Sequence, residues 1–382
     1  MIESTLWPEV KQHLAKSYNV LTTLDLGFYN LDLDVFELYR QLSKYKDYVF
    51  ADRDRIIIVF SDTDYFPDIN GTPNTLWNIH QIYNHYRIST EHTLLLHWQV
   101  GIEHTLDLLA QQFYCRPIPS VYCPYARFII HPNAVSATDL NSHEIKHSFL
   151  CMNNVPRNHR IYTLLMMHKH GILEHGMTSL NSQVRYPNVQ LSEVKDDFAP
   201  HFRTLLPPTR INDRLVLDNQ QQHYYHKNYN LINQQHRHQD IDPSSVHKVQ
   251  VNPLKFIQRA LWHVVNDSVG DYPYAMFTEK IIHAILQKRP FVLLGSRGSL
   301  ALLKSLGFKT FNSWIDESYD LESTFANRSE RAVQQLIPFT KLSQHQLQQV
   351  CHEMQPILDY NYEHYVKGFG ERNLAMLLES KL

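Results

Sequence analysis

The chain has 382 residues, with 36 Lys and Arg against 38 Asp and Glu, 24 His and a formal net charge of −2. That balance excludes a basic nucleic-acid coat while leaving room for a local basic groove. A hydrophobic content of 43% supports real cores, and the length allows two domains of ordinary size.

No apolar run is long enough for a membrane span, so none is expected. Residues 1–14 carry acidic side chains and no basic-then-apolar order, so a signal peptide is not expected either. Cys115, Cys123, Cys151 and Cys351 form no closely spaced pair. They read as free thiols in a reducing cytoplasm.

Taken in order, the pattern predicts a leading helix over 7–14, a strand over 19–26 and a helix over 31–42. RIIIVF at 55–60 is the clearest strand of the first half, an apolar run ending in Ser61-Asp62-Thr63-Asp64. Polar residues at a strand's C-terminal end are where open α/β sheets hold ligands, so Asp62 and Asp64 are candidate catalytic residues. A helix over 75–86, a strand over 93–97, a helix over 101–112 and a strand over 120–125 complete an alternation that implies a doubly wound parallel sheet.

A second domain is expected from about residue 141, giving domains 1–140 and 141–382. It opens with a strand over 148–152, a turn containing Asn154, Arg157 and Arg160, and a helix over 161–170. Regularity fades from 181 to 252. There the segment 219–240, rich in Asn, Gln, His and Tyr, reads as a polar loop or insertion. Its four His have no ligand spacing that points to a metal, whereas Tyr224, Tyr225 and Tyr229 beside Lys227 and Arg237 suit stacking against an acceptor. Residues 253–265 read as a helix with Phe256, Ile257, Ala260, Leu261 and Val264 on one face.

The stretch from Tyr274 to Asp320 carries the strongest pattern. Thr278 stands where an N-cap belongs, Glu279 and Lys280 in the first helical turn, and Ile281, Ile282, Ile285 and Leu286 on the apolar face. FVLL at 291–294 reads as a fully buried parallel strand. Gly295-Ser296-Arg297-Gly298-Ser299 then turns into a helix that stops at Gly307, and 309–311 reads as one more short strand. A helix start with a cation, facing a Gly-containing turn at a strand end, suits a nucleotide diphosphate: the ammonium and free N–H groups bind phosphates and the carboxylate takes ribose hydroxyls.

Thr278-Glu279-Lys280, followed by Pro290-Phe291-Val292-Leu293-Leu294-Gly295, resembles the donor-site signature of fucosyltransferase-like and exostosin-like glycosyltransferases. With 306–311 and 314–320 it also resembles uncharacterised glycosyltransferase-like proteins of phages and aquatic bacteria. The likeness covers about 50 residues well and the chain after residue 145 more loosely. It implies two Rossmann-like domains facing a cleft in the GT-B manner, with a C-terminal helix. The donor would be a UDP- or GDP-sugar held in the second domain without a metal. On that resemblance Glu279 meets the ribose and Lys280 the phosphates. Arg157 or Arg160 meets the diphosphate, and Asn154, Thr278, Gly295, Ser296 and Arg297 complete the site. The family's Glu-Asn-Ser element is replaced by Val265-Asn266-Asp267-Ser268, where Asp267 stands in for the acid or the donor sugar differs.

Transfer to a hydroxyl needs a general base, for which Asp62, Asp64, His97 and Glu103 are candidates. The acceptor is an envelope glycan or, for a phage protein, hydroxymethylated pyrimidine DNA gripped by Lys227, Arg237, Arg203 and Arg210. Asp316-Glu317-Ser318-Tyr319-Asp320 reads as a solvated loop, or a loop anchoring the following helix, sooner than as a metal site. The alternative is a non-catalytic phage structural or host-interaction protein that keeps the fold. The spacing leaves the oligomeric state, the donor sugar and the stereochemistry of transfer open.

Overall fold

A computed structural model of the chain describes residues 14–26, 39–60, 75–97, 102–122, 144–153, 157–180, 215–235, 257–272 and 275–367. The described residues form an α/β protein of two compact units, each built on a four-stranded parallel sheet. The expected domain change at residue 140 falls outside them.

In the first unit β1 (Asn19–Leu26), β2 (Asp54–Phe60), β3 (Thr93–His97) and β4 (Ser120–Tyr122) lie side by side in chain order. The Asp54 carboxylate sets the first register. It accepts from Asn19 Nδ2 at 2.7 Å, Tyr48 Oη at 3.0 Å and Ala51 N at 3.0 Å. Helices α1 (Thr75–Tyr86) and α2 (Ile102–Gln112) cross between strands. Their Leu76, Ile79, Tyr83 and Leu106 pack on Ile56, Ile58 and Leu95 in one core. Long connections and buried apolar runs are what parallel pairing demands. Residues 1–13 and 27–38, which hold most of two expected helices, lie outside the described set, as do 123–125 at the end of the expected fourth strand.

The second unit contains β5 (His147–Asn153), α3 (Asn158–Lys169), β6 (Gly176–Leu180), α4 (Asn219–Gln235), β7 (Ala260–Asn266), α5 (Glu279–Leu286), β8 (Phe291–Leu294), α6 (Ser299–Ser305), α7 (Phe325–Leu336), α8 (Gln344–Glu353) and α9 (Gln355–Val366). Its strand order is β6-β5-β7-β8. The chain winds outward in opposite directions from β5, so a topological switch point falls between β5 and β7. In open parallel sheets the crevice beyond the strand ends at that point receives ligands.

The structure corrects four local readings. Residues 260–266 are strand β7, not the end of a helix. The apolar spacing of 256–264 fits a helix, but all seven residues of β7 are buried, sandwiched between β5 and β8, and such a run has no period to read. The segment 219–235 is helix α4, not a loop. Asp218 and Gln221 close a reciprocal cap at its start: Gln221 N donates to Asp218 Oδ1 at 2.9 Å, and Asp218 N to Gln221 Oε1 at 3.0 Å. Residues 309–311 join no sheet, and the Asn361 side chain bonds the backbone of Lys309 where a partner strand would. Its Oδ1 accepts from Lys309 N and its Nδ2 donates to Lys309 O, both at 2.8 Å. Finally, the sequence reads as largely helical over 328–336 and 344–378 with a break at 368–370, but the helix breaks at Met354, where Pro356 enters the first turn of α9; residues 368–370 lie outside the described set.

Gly307 ends α6 as expected, with φ of +89°, a conformation that favours glycine.

Candidate anion site at the ends of β5 and β7

The turn after β5 leads into α3 through Arg157, whose backbone is extended (φ −82°, ψ 148°) and whose side chain does not cap the helix. It crosses to the end of β7 instead. Arg157 Nη1 donates to the carbonyl of Ser268, and Arg160 Nη2 donates to the carbonyl of Asp267 at 3.1 Å. His159 Nε2 meets the same Asp267 carbonyl at 3.0 Å. A carbonyl only accepts, so Nε2 carries the proton.

The Asp267 side chain is fully buried and turned toward α5. It accepts from Ser268 N at 2.5 Å, Thr278 N at 2.9 Å and the Thr278 hydroxyl. Thr278 is the N-cap residue of α5, but its hydroxyl does not cap the helix; it satisfies Asp267. Lys280 then bonds Ser268 Oγ at 3.1 Å and Thr278 Oγ1 at 3.2 Å.

Three cations, Arg157, Arg160 and Lys280, thus gather on the segment that holds the buried Asp267 and on its partner Thr278, at the switch point. Burial holds the His159 imidazole well below its ordinary pKa, with the charges of Arg160, Arg157 and Lys280 adding to it. His159 therefore stays neutral and adds no further positive charge. Cationic side chains gathered at strand ends suit an anion.

A chain of buried polar side chains fixes the strand ends beneath. Asn266 Nδ2 donates to Asn153 Oδ1 at 3.0 Å, Thr163 Oγ1 to Asn266 Oδ1 at 3.0 Å, and Ser329 Oγ to Thr163 Oγ1 at 3.1 Å. These residues tie β5, β7, α3 and α7 into one layer at the point where the cations sit. Cys151 lies in the same layer, its thiol pushed up to about 12 by burial, which makes it a packing group and not a nucleophile.

The structure brings together Arg157, Arg160, Asp267, Thr278 and Lys280 of the sequence candidates, with both arginines on carbonyls just past β7. Glu279 opens α5; its side chain is outside the described residues, as are Asn154, Asp62 and Asp64. Gly295 adjoins the cluster: a Cβ there would come to 3.4 Å from Asp267 Cβ and 3.0 Å from Ser299 Oγ. Ser296 is buried and Arg297 is exposed.

The turn after β8 differs from expectation in one respect. Gly298 N donates to Asp320 O at 3.0 Å, Ser299 N to Ser296 O at 3.2 Å, and Leu300 N and Ala301 N to Asp320 Oδ2 at 3.1 and 3.3 Å. The N–H groups of 298–301 are therefore engaged within the chain, and Asp320 supplies the anion at the start of α6. Burial raises the Asp320 pKa.

The other acids of that loop are anchors as well. Glu317 accepts from Phe311 N at 2.6 Å and Thr310 Oγ1 at 2.8 Å, and Asp316 caps Ser318 at 2.9 Å. Among the described residues, no group of three or more His, Cys, Asp or Glu could hold a metal ion.

Two further candidates land differently. Tyr225 points inward, 7% exposed, so its ring is not offered for stacking as the sequence suggested, whereas Tyr224 is half-buried, with its hydroxyl 3.4 Å from Leu165 O. In the first unit His97, fully buried at the end of β3, lies with Nε2 at 3.7 Å from Glu103 Oε1.

Sequence reasoning missed His159 and Asn266. Their signal was available: polar residues in or beside apolar runs at the C-terminal ends of parallel strands. Comparison with known proteins finds no family model, no curated protein and no solved structure that matches the chain.

Proposed function

We propose that the second unit binds the diphosphate of a nucleotide sugar and that the protein is a glycosyltransferase. The observation that carries this reading is the cluster of Arg157, Arg160 and Lys280 at the switch point between β5 and β7. Three cations gathered at the strand ends of a parallel sheet suit a diphosphate held without a metal. The same charges would stabilise that diphosphate as a leaving group. Glu279, opening α5, is the proposed ribose partner. Deprotonation of the acceptor hydroxyl falls to the first unit, with Asp62 and Asp64 as the leading bases.

The test is calorimetry with UDP and GDP, followed by a panel of UDP-, GDP- and CMP-sugars with release of free nucleotide as the readout. Lys280→Ala removes a partly exposed side chain and leaves the bonds between Asp267 and Thr278 in place, so it should fold normally. Loss of a charge-assisted bond to ligand should weaken nucleotide binding by about 1.5–3 kcal/mol, or tenfold and more. Wild-type affinity in that variant would remove Lys280 from the site.

A second reading rests on a specific observation: Arg157 and Arg160 both brace backbone carbonyls of β7's end. If the parent protein binds no nucleotide, those arginines are braces, and a non-catalytic role for the fold takes precedence.

A further inference from the structure

The polar segment 219–235 does more than fill an insertion. It packs along α3 and α7 in the second unit. Tyr225 Oη donates to Asn158 Oδ1 at 3.0 Å, and its ring stacks on Tyr162 with centroids 6.3 Å apart and planes at 26°. Tyr224 reaches Leu165 O, and its ring lies 5.8 Å below Lys169 Nζ. Gln221 Nε2 donates to Asn327 Oδ1 at 2.8 Å. Just before the helix, Val216 N donates to Asp271 Oδ2 at 2.7 Å.

One of these contacts falls on the anion site's own framework. Asn158 is the first residue of α3 and stands between Arg157 and His159. The same first turn is gripped by the segment just past β7, through Arg157, His159 and Arg160 on the carbonyls of residues 267 and 268. The turn bearing two of the three cations is therefore held by two elements, that segment and α4 through the phenol of Tyr225. A guanidinium that binds a diphosphate gains by being fixed before the ligand arrives.

We infer that Tyr225 is a positioning residue for the anion site: helix α4 sets the placement of Arg157 and Arg160 through the Tyr225–Asn158 bond. The inference rests on the diphosphate reading and adds to it a role for the Asn- and Gln-rich helix. Tyr225 touches no ligand in this account; it acts through Asn158.

The experiment uses the full chain and two probes, inorganic pyrophosphate and UDP, titrated by calorimetry, with thermal unfolding measured alongside. Tyr225→Phe keeps the buried ring and its stack on Tyr162 and removes only the hydroxyl. Gln221→Ala is the control, since it loosens the same helix at its contact with α7.

Tyr225→Phe should weaken both probes by roughly two- to tenfold, the span of one hydrogen bond. Gln221→Ala should leave affinity within about twofold at a similar shift in unfolding temperature. In the Tyr225→Phe/Asn158→Ala double variant the losses should not add, because both remove one bond.

Equal affinities for Tyr225→Phe and the parent overturn the inference, as does an equal loss in Gln221→Ala, which would make α4 a general brace. A parent that binds neither probe overturns the diphosphate reading itself and the inference with it, an outcome distinct from the other two.

Discussion

Replacing Asp267 should unfold the site before it alters any chemistry. The side chain is fully buried and accepts from three donors: Ser268 N, Thr278 N and Thr278 Oγ1. Asp267→Ala leaves all three without an acceptor in a place that water does not reach. Each stranded donor costs about 1–3 kcal/mol. With partial relaxation the sum is about 4 kcal/mol, a large share of the 5–15 kcal/mol that holds a typical fold together.

For a unit of this size that is a fall in unfolding temperature of roughly 8–16 °C. Asp267→Asn keeps the volume and one acceptor oxygen, so its loss should be about half. Urea unfolding followed by far-ultraviolet circular dichroism gives both values at constant slope. An Asp267→Ala variant within about 1 kcal/mol of the parent would mean that these donors find other partners, and that the carboxylate is not what joins β7 to α5.

Two further outcomes are expected. His80, His159 and His263 are held below their ordinary pKa by burial, His263 at about 3 against a usual 6.5. A depressed histidine is neutral in the fold and takes a proton on unfolding, so its stabilisation is complete above pH 6.5 and lost as pH falls toward 3. Each such group contributes about 1.4 kcal/mol per pH unit across its window. The urea midpoint should drop between pH 7.5 and 5, His263→Gln should flatten the drop, and a level profile would contradict the burial of these rings. Gly176 pairs with Phe149 across β5 and β6, and a Cβ at that position would overlap the Phe149 ring. Gly176→Ala should therefore cost about 3 kcal/mol, which chemical denaturation would register; a neutral effect would show that the ring can move aside.

The parts of the fold that local pattern determines were legible in the sequence. RIIIVF, TLLLH and FVLL are apolar runs too short for helices and bounded by polar residues or turns, and they are β2, β3 and β8. What misled was a run buried on every side: in β7 the spacing of Phe256 to Val264 imitates a helix, and only its neighbours β5 and β8 decide otherwise. Helix α4 was hidden because its polar side chains give little amphipathic signal, although the Asp218–Gln221 cap marks its start.

At the site, Arg157, Arg160, Asp267, Thr278 and Lys280 were singled out in the sequence by turn position and by the family resemblance, and the structure places them together at the ends of β5 and β7. The engagement of the turn after β8 was not legible. It depends on Asp320 reaching back to Leu300, a pairing no local pattern encodes.

The Asn361 side chain that stands in for a strand has a consequence for the order in which the chain can assemble. Lys309 and Asn361 are 52 residues apart. The start of β5 depends on partners farther along still: Ser148 Oγ on Phe339 O, 191 residues on, and Ile145 N on Gln348 Oε1, 203 residues on. A nascent chain therefore carries β5 long before the segments that close around it have been synthesised. Such non-local closure slows folding and prolongs the exposure of unfinished sheet edges. A ribosome that stops short of residue 361 would release a sheet with its last turn still unfastened.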